Sequence, residues 1–293
     1  MCPRYHGREL ADFDWFPQAL RDGLADFLAF FSVFSGLREK AYLEIARMIE
    51  ETNEDSIVEL CAGSGFGGLR MVRRLAALVR RPALKLLLTD LRQSREWPKI
   101  QALGGDSLSS RAVEALQALR EEKGVFVMFA ALHHLPPREV VELVRTAADC
   151  GKSFVSIDYF QRGRLTDLLP LFLGPPLMVL TAPLVFPFSL KRIALTWLIP
   201  VLPVLLFVDT ALTMLRSYRV DELKAMVDAV DLPQGVRASA RELTMCAGLI
   251  RMTCLEVRFP VRAASHSLPC SDAVPGAGAA KVTSADGTIR RRR

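Results

Sequence analysis

The sequence predicts an α/β fold, a mostly parallel sheet with helices on both faces. Three observations predict it. Short apolar runs alternate with amphipathic segments from Ser56 to Tyr159. The first run ends in a glycine-rich loop that opens a helix. Two late strands, Val236–Arg241 and Met245–Phe259, close one sheet edge as an antiparallel pair. Strand and helix in repeated alternation imply parallel pairing, because each crossover must return the chain to the same end of the sheet.

The elements follow in order. From Asp12 to Glu51, apolar residues recur at helical spacing through Leu20, Leu24, Phe27, Leu28 and Phe31, then Leu43, Ile45, Ala46 and Ile49. This N-terminal helical cap, residues 1–52, packs on the core or closes over a pocket. The strands are Ser56–Cys61, Leu84–Asp90, Gly124–Ala131 and Ser153–Tyr159. Their continuous apolar character suits strands buried on both faces. Helices are expected over Leu69–Arg81, Ser110–Glu122, Pro137–Cys150 and Arg219–Asp231, with one further short strand hidden between Leu91 and Ser109. The sheet then has seven strands. The main domain spans 53–262 and carries an apolar insertion at 165–215.

The chain has 293 residues, of which 51% are hydrophobic and 24% charged, and its mean hydropathy is +0.22. That excludes disorder of the whole chain, since there is ample apolar surface to offset chain entropy. The excess apolarity lies after the fifth strand. Leu168–Leu190 has no charge but five prolines, and Ile193–Val208 is again uncharged. Half of the net charge of +6 falls in the Gly/Ala/Ser-rich segment 263–293, read as a disordered basic tail. The rest is nearly balanced, which argues against a nucleic-acid partner. Six scattered cysteines, with no zinc-like Cys/His spacing, predict buried thiols in a reducing compartment and no metal site. No signal peptide is read, so a cytoplasmic protein is expected.

Glu59–Gly68 reads ELCAGSGFGG, directly between a strand and a helix, and Asp90 ends the next strand. Glycines permit a sharp turn and close ligand approach, and a carboxylate at the end of the second strand accepts hydrogen bonds from ribose hydroxyls. Gly63, Gly65 and Gly68 satisfy GxGxxG, so the loop by itself fits a nicotinamide dehydrogenase as well as other nucleoside-binding folds.

On these residues the chain resembles the class I S-adenosylmethionine-dependent methyltransferases, which have a Rossmann-like sheet. Their first motif is matched by Glu59, Gly63, Ser64 and Gly65, and the ribose-holding acid by Asp90. Ala130–Pro136, AALHHLP, matches the segment where the chain passes the reacting methyl group. The resemblance implies S-adenosylmethionine as cofactor, held by Glu59, Gly63, Ser64, Gly65 and Asp90. It also implies an adenine-contacting acid, for which Asp106 stands nearest. Cys61 departs from the glycine that many members carry. His133 or His134 at the end of the fourth strand could act as a base, and Asp158 at the end of the fifth could meet the acceptor.

Five prolines argue against a straight spanning helix in Leu168–Leu190, and Ile193–Val208 is short. A broken helical hairpin lying in the membrane interface, on its inner face, is expected, with a hydrophobic lid as the rival reading. Both place an apolar element beside the acceptor site, which suggests a small hydrophobic or lipid-like acceptor. The alternatives are an NAD(P)-dependent oxidoreductase and a non-catalytic membrane-associated binding module.

Overall fold

The structure, a computed structural model, describes residues 4–5, 7–163, 165–185, 188–245 and 250–259. The expected tail, 263–293 with Cys270, lies outside the described residues, as do Cys2 and Cys246.

The seven strands are β1 Ser56–Leu60, β2 Lys85–Asp90, β3 Leu108–Ala112, β4 Val125–Phe129, β5 Phe154–Asp158, β6 Arg237–Met245 and β7 Ile250–Arg258. They form one sheet in the order β3-β2-β1-β4-β5-β7-β6. The first five are parallel, and β7 runs antiparallel to both β5 and β6. The chain therefore reverses its winding direction between β1 and β4, and a crevice opens at the carboxyl ends of those strands.

The helices are α1 Gln18–Phe34, α2 Leu37–Thr52, α3 Gly68–Leu78, α4 Trp97–Gly104, α5 Ala115–Glu121, α6 Pro137–Asp149, α7 Leu169–Thr181, α8 Leu190–Ile193, α9 Val201–Arg216 and α10 Val220–Asp228. Strand alternation sorts them into layers. Ile57, Leu86, Leu88, Val125, Val127 and Val155 face α2, α3 and α4. Val58, Leu60, Phe126, Met128 and Phe154 face α5, α6 and α10. Glu59 is the exception, a carboxylate on a strand position that otherwise belongs to the core.

The hidden strand is β3, and it corrects the helix expected at Ser110. Ser110 pairs with Leu88 and Ala112 with Asp90. The amphipathic pattern belongs to α5, which starts five residues later than expected. Short edge strands of serines and arginine carry little apolar signal, which is why LSSRA was not read as one. The expectation of thiols throughout also needs correction. Cys61 and Cys254 are free, but Cys150 is disulfide-bonded.

The insertion folds as a helical hairpin. Helix α7 continues through Pro175 and Pro176, and Pro183 falls in the turn Ala182–Leu184. The segment Leu190–Leu198 meets α9 at 83°. Met178, Val185, Leu202 and Leu206 of the insertion bury against Phe16, Leu24 and Phe27 of the N-terminal segment. The N-terminal cap thus divides its work: α2 covers the sheet, and α1 holds the insertion. Arg192 fastens this contact through an ion pair to Asp26 at 2.6 Å.

Candidate functional site

A cavity of about 950 Å3 opens at the carboxyl ends of β1, β2, β3 and β4. Cys61, Asp90, Val113, Ala130, Ala131 and His134 line it, with Asp12 from the N-terminal segment. Register explains the convergence. Parallel strands end together, so Leu60, Asp90, Ala112 and Phe129 deliver their following residues to one rim.

Asp90 is fixed by its own loop. Its Oδ2 accepts the Gly63 N–H at 2.9 Å and its Oδ1 accepts the Arg92 N–H at 3.0 Å. The remaining lone pairs are free for ligand hydroxyls. Gly63 has φ +55°, and a side chain there would meet no neighbouring atom, so the loop presents bare backbone on an open side. Gly65 is needed for packing instead. A Cβ there would lie 2.7 Å from Leu88 and 3.1 Å from Trp97 Nε1, whose N–H donates to the Gly63 carbonyl at 3.0 Å. Ser64 faces a separate cavity of about 310 Å3 beside α4 and does not join the Asp90 rim.

Two non-glycine residues on the rim hold left-handed backbone, Cys61 at φ +54° and Ala130 at φ +49°. They end neighbouring strands and both line the cavity. Strain of this kind concentrates at functional sites, where close backbone approach is required. Burial, with the Asp90 charge adding to it, pushes the Cys61 thiol up to about 12, so it is an inert thiol.

Glu59 lies beneath the loop, away from the rim. It is 3% exposed and faces Arg38 of α2 across 3.7 Å. Burial pushes the Glu59 carboxyl upward, and Arg38 offsets part of that. Arg38 donates from Nε to the Tyr159 hydroxyl at 3.0 Å and lies 4.6 Å from the Phe129 ring centre. Its guanidinium fills the space over Gly67, where a Cβ would come within 2.1 Å of Nη1. That Nη1 and Glu59 Oε2 have no hydrogen-bond partner among the described residues. An arginine 21 positions ahead of its acid, on a helix read only as packing, gave no signal in the sequence.

The two histidines part ways. His133 is buried, with its Nδ1 at 3.2 Å and its N–H at 3.0 Å from Asp158 Oδ2, and its Nε2 at 3.5 Å from Glu9 Oε1. Burial opposes its charge, but Asp158 and Glu9 outweigh burial and raise it to about 9. Asp158 is 1% exposed, so it holds His133 rather than meeting an acceptor, a correction to its expected place at the pocket mouth. His134 is exposed and lines the cavity, with Nδ1 3.5 Å from Asp12 and Nε2 4.0 Å from Glu9.

Asp106 is also displaced from its expected role. It precedes β3, near the Leu86–Leu108 pair at the amino end of the sheet. The acid that does reach the rim after β3 is Glu114. Sequence reading placed the strand too early and so chose the wrong end. Glu9, Asp12, Thr213 and Arg216 were missed as well. Thr213 Oγ lies 2.8 Å from Glu9 Oε1, and Arg216 donates to Asp12 at 2.9 Å, so the end of the insertion reaches the site through α9.

No family model matches the chain, and no curated protein matches it in sequence. Among solved structures it is similar to the plantazolicin methyltransferase BpumL in complex with SAH, with 10% identity, TM-score 0.48, and coverage of 85% of this chain and 94% of that one. It is similar to the mitomycin 7-O-methyltransferase MmcR, with 17% identity, TM-score 0.40, and coverage of 78% and 56%. It is also similar to the O-methyltransferase NcsB1 from neocarzinostatin biosynthesis in complex with S-adenosylmethionine and 2-hydroxy-5-methyl naphthoic acid, with 14% identity, TM-score 0.42, and coverage of 78% and 56%. The chain spans little more than half the length of these last two proteins.

Proposed function

We propose that the chain is a methyltransferase that takes its methyl group from S-adenosylmethionine and transfers it to a small hydrophobic or lipid-like acceptor at a membrane interface. The observation that carries this reading is the Asp90 carboxylate, fixed by the Gly63 N–H on the rim of the cavity between β1 and β2. A ribose that accepts no charge but offers two hydroxyls suits that carboxylate. The residues present fit the rest of the donor. Val113 and Leu91 supply apolar wall for an adenine, and the bare backbone of Gly63 leaves room for the donor beside Asp90.

The bound donor supplies an activated sulfonium methyl. The chain's own work is then placement: Asp90 fixes the donor's sugar, and the strained backbone at Cys61 and Ala130 allows close approach. An acceptor hydroxyl must also lose its proton. His134 lines the cavity, whereas His133 is enclosed by two carboxylates, so His134 is the residue placed to receive it.

The acceptor class rests on the insertion. Between Leu168 and Leu215 lie fifteen of the twenty-two exposed large apolar side chains among the described residues, including Leu180, Leu184, Leu190, Trp197 and Leu198. Thr166–Leu184 is long and apolar enough to cross a membrane, yet only 22% of its window is buried against the protein. An exposed apolar surface of this extent is costly in water and suits an amphipathic element seated in lipid.

Calorimetric titration tests the donor. Binding of S-adenosylmethionine is expected, and binding of NAD alone would replace this reading with an oxidoreductase. Incubation with labelled donor and a lipid extract should yield a labelled apolar product; donor binding without turnover would favour a binding module.

A further inference from the structure

The sequence predicts no metal site, because no Cys/His cluster has zinc-like spacing. Folding brings three candidate ligands together from residues 124 positions apart. Glu9 comes from the N-terminal segment, and His133 and His134 from the turn after β4. One ligand atom from each lies within 4.8 Å of the others.

We propose that Glu9, His133 and His134 bind a divalent first-row transition ion of the zinc class. The spacing suits it. Ligands at about 2.0–2.2 Å from a tetrahedral ion sit roughly 3.3–3.6 Å apart. His133 Nε2 is 3.5 Å and His134 Nε2 4.0 Å from the Glu9 carboxylate, so small rotations close the site. Both rings turn their other nitrogen to a carboxylate, His133 Nδ1 to Asp158 and His134 Nδ1 to Asp12. That is the outer arrangement which fixes the tautomer and directs the Nε2 lone pair at a metal. Thr213 orients the Glu9 carboxylate from the far side.

Charge points the same way. Glu9, Asp12 and Asp158 bring three carboxylates to the cluster, and Arg216 brings one guanidinium. Arg216 lies closer to Asp12 (2.9 Å) than to Glu9 (3.6 Å), which leaves Glu9 available. Once both rings are neutral, which for His133 means that the ion displaces the proton held by Asp158 and Glu9, the cluster lacks two positive charges, the charge of one divalent ion. Two imidazoles with one carboxylate favour zinc-class ions over magnesium or calcium, which prefer oxygen.

Such an ion occupies Nε2 of His134. The loaded protein then cannot use that nitrogen as a base, so Zn2+ is expected to slow methylation of acceptors that must lose a proton. This consequence rests on the methyl-transfer reading; the binding itself does not.

The test uses the full chain, stripped with chelator, in a His6→Ala/His266→Ala background that removes the other two histidines. Zn2+ is titrated by calorimetry, and Co2+ by visible absorption. One ion per chain is expected, with Co2+ bands lacking a thiolate charge-transfer component. His134→Ala, at an exposed position, and Glu9→Gln should each weaken binding by about tenfold or more. Absence of stoichiometric binding, equal affinity in His134→Ala, or a thiolate band would each overturn the site. Donor titration of the same stripped protein reports on methyl transfer separately, so either proposal can fail alone.

Discussion

In β4 and β5 every side chain is buried, whereas along the insertion large apolar side chains stand in the open: Leu180 is 74% and Leu198 81% exposed. Both regions read as apolar runs in the sequence, apart from Ser156 and Asp158 of β5. In the sheet, apolar residues face two helical layers and are consumed by them. In the insertion, one stripe through Met178, Leu202 and Leu206 seals against α1, and the opposite stripe stays exposed, touching other residues of the insertion such as Phe172 against Phe207. Apolarity therefore marks stability in one region and an outward surface in the other. The polar residues invert likewise. The end of β5 and the turn after β4 bury Asp158 and His133 near the rim, and α9 brings Thr213 and Arg216 to the same place.

The largest expected effect lies beneath the glycine loop. Arg38→Leu leaves the buried Glu59 without its counter-charge, and stability should fall by roughly 3–5 kcal/mol. The double change Arg38→Leu/Glu59→Leu removes both charges and should recover most of that loss. Urea denaturation of the three variants measures it. A single variant as stable as the parent would mean that the pair contributes nothing to the sheet.

Asp90→Ala addresses the rim. Loss of a charged acceptor costs on the order of 1.5–3 kcal/mol, so donor affinity should drop tenfold or more while thermal stability changes little. Unchanged affinity in calorimetry would separate Asp90 from the ligand.

On the insertion side, deletion is a poor probe, because α9 carries Thr213 and Arg216 into the site. Leu180→Ser and Leu198→Ser change only the outward stripe. Each is expected to weaken vesicle partitioning by about tenfold or more, given roughly 0.8 kcal/mol for each of the carbons removed from lipid. Flotation with liposomes measures this, and donor binding should be unaltered. Full-length protein that never floats would leave the stripe as part of a lid.

The contact between the two regions should respond to pH. Burial raises Asp26 to about 6 from 3.8 despite the Arg192 pair. The folded state therefore binds this proton more tightly than the unfolded chain. Its stabilising contribution is complete below the unfolded value and is lost as pH rises from about 4 to about 6. Asp26→Asn removes that dependence. The difference in stability between parent and variant should change across this window by about 2–3 kcal/mol at most. A constant difference would show that Asp26 is already charged at pH 4.

Legibility followed the same division. The strands from Ser56 to Asp158 were readable because a doubly buried strand leaves an uninterrupted apolar run, as in VFVMF and FVSID. The place of Asp90 on the rim is legible because a parallel strand ends in its loop. The strand LSSRA was not, since an edge strand needs little apolarity, and its misplacement carried Asp106 to the wrong end. Glu9, Arg38 and Arg216 were invisible for another reason. Each reaches the site from an element distant in sequence, and no local periodicity encodes that meeting. The insertion was legible as apolar, but its division into a sealed and an open stripe depends on where α1 packs.

Cys61 offers the smallest and most discriminating change. It ends β1 at φ +54°, a conformation that costs an L-residue roughly 1–2 kcal/mol and a glycine almost nothing. Cys61→Gly should stabilise the folded chain by about 1 kcal/mol, after allowance for the greater freedom of glycine in the unfolded state. Thermal denaturation measures the gain. The strain is useful only if a ligand needs the backbone at this turn held as it is, and glycine can keep that shape or leave it. Stabilisation with unchanged donor affinity would mean that neighbouring contacts, such as the Ala62 N–H to the Thr89 carbonyl at 2.9 Å, already define the loop. Stabilisation with weaker donor binding would mean that the β-carbon of Cys61 keeps the rim closed to other turns. A destabilised variant would place the strain elsewhere on the rim, at Ala130, the other left-handed residue on the same wall.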